Sequence, residues 1–175
     1  SFPTRRSSDL EINEAVCVHT RKIYDSCRDR DCAEDLRVYP TVSSQTYIES
    51  AFSVRPGSAT LLYADVNVDE ISFNRGYYAV DVTYFYDVTG TTFPGENTVR
   101  GLCVFNKRVM LFGSDGSARV FSSDGSVSRS PSLPRAVVEC VDPIVLSMKL
   151  ADASAVGLAA DFCDIPERIL NRFGE

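Results

Sequence analysis

The chain has no tryptophan, one histidine and two methionines in 175 residues. With a single imidazole, His19, an acyl-transfer triad or a polyhistidine metal site has almost nothing to be built from. Gly-x-Ser-x-Gly is absent, and so is any glycine-rich phosphate loop, which removes the usual sequence signs of α/β-hydrolase and nucleotide chemistry. No Asn-x-Ser/Thr acceptor is present, and no apolar run approaches the ~20 residues of a membrane-spanning helix. Basic charge is also scarce. The 18 basic residues are outnumbered by 24 acidic ones, for a net charge of -6, and an acidic surface without a dense basic cluster repels phosphate, so nucleic acid is not an expected partner.

The first ten residues, Ser1 to Leu10, match letter for letter the translation of a sequencing-adapter oligonucleotide and are read as a non-native tail. Without Arg5, Arg6 and Asp9 the chain keeps 16 basic and 23 acidic side chains, net -7. Residues 11–175 are of a length that suits one domain with its own core, expected here to be a β-rich domain cut short at its carboxyl end.

What is abundant is β pattern. In Thr60 to Asp69, Leu62, Ala64, Val66 and Val68 alternate with polar residues. In Tyr77 to Val88, Tyr78, Val80, Val82, Tyr84, Tyr86 and Val88 alternate with Asp81, Thr83 and Asp87. This two-residue period predicts half-buried strands, paired through a turn at Phe73 to Gly76. Val99 to Phe105 and Arg108 to Phe112 read as a hairpin turning at Asn106-Lys107, Ala118 to Phe121 as a strand between two Asp-Gly turns, and Ala136 to Val141 as a last strand. Asp124 to Pro134, rich in Ser and Pro, reads as a mobile loop. Short helices are expected over Ser44 to Ala51, capped by Ser43 or Ser44, and from Asp164 through Phe173, with Pro166 in the first turn. The fold class expected is mainly β, an antiparallel sandwich or barrel with one or two short peripheral helices.

Six cysteines are present. Cys103 and Cys140 lie in apolar strand-like runs and read as buried, reduced thiols. Cys17, Cys27 and Cys32, with His19, form a candidate zinc site, although Cys-x-His, seven residues and Cys-x4-Cys departs from the two close pairs of ordinary zinc sites. The simpler reading is incidental thiols, and no cofactor is otherwise expected. Asp25, Asp29, Asp31, Glu34 and Asp35, interleaved with Arg21, Lys22, Arg28, Arg30 and Arg37, read as a solvated salt-bridged face. Asp65, Asp69, Glu70 and Asp81 offer calcium-type oxygens without any EF-hand loop, and acids on exposed strands also discourage edge pairing. Tyr78, Tyr84 and Tyr86 share the apolar face, which leaves Tyr77 and Phe85 as the candidate interaction surface.

Several segments resemble a family of proteins of unassigned activity from clostridial, spore-forming bacteria: Glu14-Ala-Val-Cys-Val18, Ile23-Tyr-Asp-Ser-Cys27, Arg28-Asp-Arg-Asp-Cys32, Glu34-Asp-Leu-Arg-Val-Tyr39, Phe73-Asn-Arg-Gly-Tyr77, Phe105-Asn-Lys-Arg-Val109 and Leu111-Phe-Gly-Ser114. The resemblance spans Glu11 to about Leu150. It implies that His19 stands where the family often carries an acid, and that the natural protein continues with more β structure. The strand rhythm from Ser58 to Val88 is also similar to β-rich domains of spore-coat morphogenetic proteins, a likeness of fold that does not fix function. The expectation is a non-enzymatic assembly protein, cytoplasmic at synthesis and then in a spore envelope, that binds protein partners or itself. The alternative is a ligand-binding module, for carbohydrate or for zinc.

Overall fold

The computed structural model describes residues 18, 20–114, 119–121, 127–129, 133–151 and 165–173. Its elements run β1 (Val38–Pro40), α1 (Val42–Glu49), β2 (Ser53–Glu70), β3 (Tyr77–Phe93), β4 (Thr98–Phe112), β5 (Arg119–Phe121), β6 (Val127–Arg129) and α2 (Glu167–Phe173). The fold is mainly antiparallel β with two short helices. Four strands form one open sheet in the order β1-β4-β3-β2, and β5 pairs with β6 in a separate ribbon. Among the described residues the sheet does not close into a barrel: β2 is an edge along its whole length, and β1 covers β4 only from Gly101 to Cys103.

The central strands are long because alternating Val, Tyr and Thr residues suit a pleated surface, and no proline interrupts β3 before Phe93. The β2–β3 turn lies at the expected place. Ile71 and Tyr77 bond across it, and Gly76 takes a φ of 81°, a left-handed conformation that glycine adopts without a Cβ penalty. Two register shifts, between Pro56 and Ala59 and between Leu61 and Tyr63, interrupt the β2–β3 ladder. Helix α1 begins at Val42, two residues before Ser44. Its cap is Thr41, whose hydroxyl accepts from the Ser44 amide at 3.2 Å, while the buried Ser44 hydroxyl accepts from the Arg100 amide and thereby ties the helix to β4.

Three expectations are corrected. Asn106-Lys107 is not a turn, because β4 runs unbroken from Thr98 to Phe112 with Lys107 opposite Val82; the alternation simply continues through two polar residues. Ala136 to Val141 belongs to no ladder. Pro134, Ala136 and Val138 are half-buried while their neighbours are exposed, and with Pro134 beside Gly113 and Val145 and Met148 packed on the sheet, the alternation there records a strap lying on a sheet face instead of a strand within it. Val127–Arg129, inside the segment read as a loop, pairs with β5. The rest of that segment up to Ser132 lies outside the described residues.

Residues directly opposite each other in an antiparallel pair share a face, so the register divides the sheet cleanly. The first face carries Tyr78, Val80, Val82, Tyr84, Tyr86 and Val88 from β3, with Lys107, Phe105 and Cys103 from β4. The strap 133–151 covers it. Val145 and Met148 pack against a cluster of Ala59, Val88 and Cys103, and burial pushes the Cys103 thiol pKa up. At the other end Gly113 has no room for a Cβ: that atom would meet Pro134 Cγ at 2.6 Å and the Tyr78 ring at 2.7 Å. The second face carries Tyr77, Ala79, Asp81, Phe85 and Asp87 from β3 and Phe112, Met110, Arg108, Val104 and Leu102 from β4. Helix α2 covers half of it. Ile169, with no exposed surface, packs on Phe85 and Leu102, and the Arg168 guanidinium sits 4.1 Å from the centre of the Tyr63 ring.

Candidate interaction surface

On the second face, beyond α2, the sheet is open among the described residues. Tyr77 on β3 stands opposite Phe112 on β4, ring centres 5.5 Å apart and planes at 67°, an edge-to-face pair. Both rings keep substantial exposure, 40% and 39%, and Met110 next to them is 69% exposed. One step further along, Asn67, Asp81 and Arg108 align in register across three strands. Arg108 forks onto Asp81 with Nε–Oδ1 at 2.6 Å and Nη2–Oδ2 at 2.7 Å, a bidentate pair that holds the carboxyl below its ordinary pKa. Asn67 Nδ2 donates to Asp69 at 3.1 Å. The result is a platform with an aromatic and thioether strip beside a polar one.

Tyr77 is therefore where the alternation places it. Phe85 is not. It is 6% exposed and central to the cluster beneath α2, because the two-residue period identifies the two faces but says nothing of a helix arriving eighty residues later to bury the second one. The partners of Tyr77 that alternation did not single out are Met110 and Phe112. Their signal was present in Arg108 to Phe112, but it takes the β3–β4 register to bring them beside Tyr77.

The amino-terminal cysteines occupy a different region. Cys27 and Cys32 are exposed free thiols, while Cys17 and His19 lie outside the described residues. Among the described residues no three His, Cys, Asp or Glu side chains gather as a metal site, in the 20–37 segment or at Asp65, Asp69, Glu70 and Asp81. Cys140 is exposed, against the reading of a buried strand thiol, yet its thiol meets the Tyr84 hydroxyl. Tyr84 stacks on Tyr86 and Phe105 at 6.2 and 6.0 Å, and burial, then Cys140, raises the Tyr86 pKa to about 12.

Three of the acidic residues of 25–35, Asp29, Asp31 and Asp35, do form salt bridges, but with distant partners. Asp29 and Asp31 both close on Lys107, Asp35 reaches Lys149 at 3.1 Å, and the Asp25 carboxylate accepts the outward Phe112 amide at 2.9 Å. Hydrogen bonds that Lys107 donates to Asp29 and then Asp31 raise its pKa to about 12, and the contact with Asp29 lowers that of the carboxyl. A lysine on an otherwise apolar face thus anchors the extended amino-terminal segment.

No helix among the described residues is long and apolar enough to cross a membrane. No family model, curated protein or solved structure matches the chain.

Proposed function

We propose that the chain is a non-enzymatic assembly module that binds a second copy or another protein through the Tyr77, Met110 and Phe112 platform, with the envelope of a spore-forming bacterium as its setting. The observation that carries this reading is the pairing of two half-exposed aromatic rings with a mostly exposed methionine on one half of a sheet face whose other half is closed by α2. An apolar strip with a polar rim is the composition of a protein contact, and Tyr and Met are enriched at the centres of such contacts. The setting is supported by the sequence segments alone.

The test is the solution mass across a hundredfold concentration range, in reductant, with and without chelator. Reversible growth indifferent to chelator is expected. Met110→Asp abolishes it while leaving the unfolding midpoint in place, because an exposed site carries within ~0.5 kcal/mol of stability. A monomer at every concentration sinks the self-association, and chelator-sensitive mass turns attention to zinc at Cys17, Cys27 and Cys32.

A carbohydrate-binding reading is favoured by one specific feature, the Asn67, Asp81 and Arg108 row beside the exposed rings, since sugars take stacking and planar polar groups together. It predicts a monomer whose glycan retention is lost in Tyr77→Ala.

A further inference from the structure

The outer edge of β2 presents backbone groups with no partner among the described residues. Ile71 N–H bonds Tyr77 C=O across the turn, so the ladder alternates from there: Asp69, Asn67, Asp65 and Tyr63 turn their amides and carbonyls to β3, and Glu70, Val68, Val66 and Ala64 turn theirs outward. Leu61, beyond the register shift, also points outward, and there the Asp142 carboxylate accepts its amide at 2.8 Å. From Tyr63 to Glu70 no such cap exists among the described residues. Nor does the segment contain a proline, a lysine or a further register shift, three of the devices that blunt exposed edges.

The side chains flanking this edge differ between the two faces. Asp65, Asn67 and Asp69 line the second face, all exposed; Ala64, Val66 and Val68 line the first, all half-buried. Among the described residues Asp65 meets the exposed Arg168, at 3.5 Å, and Asp69 accepts from Asn67 and feels the charge of Arg108. A two-fold antiparallel pairing of this edge with itself brings Asp65 and Asp69 of both copies onto one face, with no cation supplied by either strand, and like charges across a pair are destabilising. The same acids attract a strand whose residues on that face are basic.

We propose that the Tyr63–Glu70 edge docks an extended peptide of alternating basic and apolar residues as a fifth, antiparallel strand. Its basic residues lie beside Asp65 and Asp69, its apolar residues beside Ala64, Val66 and Val68, and its backbone bonds the outward groups of Ala64, Val66, Val68 and Glu70. This edge borders the polar row of the Met110 platform at Asn67 and Asp69, but its pairing does not depend on self-association.

The experiment uses the full chain with labelled heptapeptides alternating Lys with Val, or Glu with Val, followed by fluorescence anisotropy. The lysine peptide is expected to bind at least tenfold more tightly, and added salt to weaken it. Asp65→Asn with Asp69→Asn reduces both the affinity and the salt dependence, while Met110→Ser, which adds no charge to the face that Met110 shares with Asp69, changes neither. Val66→Pro removes an outward amide without breaking a bond to β3, and loses binding. Because that variant carries a folding risk, the decisive version alters the peptide alone. N-methylation of alternate residues in the register facing β2 abolishes binding, and methylation in the other register does not. Equal binding of the two peptides, or indifference to both methylation patterns, overturns the proposal.

Discussion

The two faces of this sheet are made of the same strands and meet opposite fates. On the first, a tyrosine and valine surface is covered by a strap that belongs to no ladder and, at Lys107, by carboxylates from the amino-terminal segment. On the second, α2 seals Phe85 and Leu102, and the remainder, with Tyr77, Met110 and Phe112, is left exposed. Hydropathy alone does not distinguish them. Phe85 and Tyr77 are both aromatic, both on β3 and both on the second face, yet one is 6% exposed and the other 40%. The difference is what the distant chain brings against each.

The sharpest way to test that contrast is to truncate both rings. Phe85→Ala is expected to cost about 3–5 kcal/mol in a denaturant titration, since it empties a packed site, whereas Tyr77→Ala costs about 1 kcal/mol, the scale of an aromatic pair at the surface. Similar losses for both would mean that the second face is uniformly core. Next in size, Gly113→Ala drives a methyl group into Pro134 and the Tyr78 ring; about 1–3 kcal/mol of overpacking is expected, with amide exchange quickening in 133–151 ahead of the sheet. Unchanged exchange there would mean that the strap does not depend on the contact.

The smallest effect is electrostatic, and it also separates the faces. Asp29 on Lys107 and Asp81 on Arg108 both titrate below the ordinary 3.8. Each therefore stabilises the fold above that pH, and the contribution disappears as pH falls from 3.8 through the depressed value. In a carbon-13 carboxyl titration, Lys107→Met returns Asp29 toward 3.8 without moving Asp81, and Arg108→Met does the reverse. A variant that moved both would show the two charge pairs to be coupled through the sheet.

Much of the sheet was legible in advance. The period of two in Thr60 to Asp69 and Tyr77 to Val88, and the turn at Phe73 to Gly76, appear where alternation and turn chemistry put them, because those signals act between neighbours in the chain. Of the candidate surface only Tyr77 was legible, since Met110 and Phe112 join it through the β3–β4 register. The errors share a cause. Asn106-Lys107 resembled a turn because a lysine facing an apolar surface looks misplaced until Asp29 and Asp31 arrive from far upstream, and Ala136 to Val141 resembled a strand because a strap lying on a sheet alternates as a strand does.

Local order, then, was written in the residues: which segments extend, where β2 turns into β3, and which side chains share a face, all consequences of backbone sterics and the pleat. Tertiary structure decided what lies over each face. Coverage by α2, by the 133–151 strap and by the Lys107 anchor depends on contacts between residues dozens of positions apart, and a repeat of two carries no information about them. Whether Phe85 became core and Tyr77 surface was settled only when Ile169 packed on one and nothing among the described residues closed over the other.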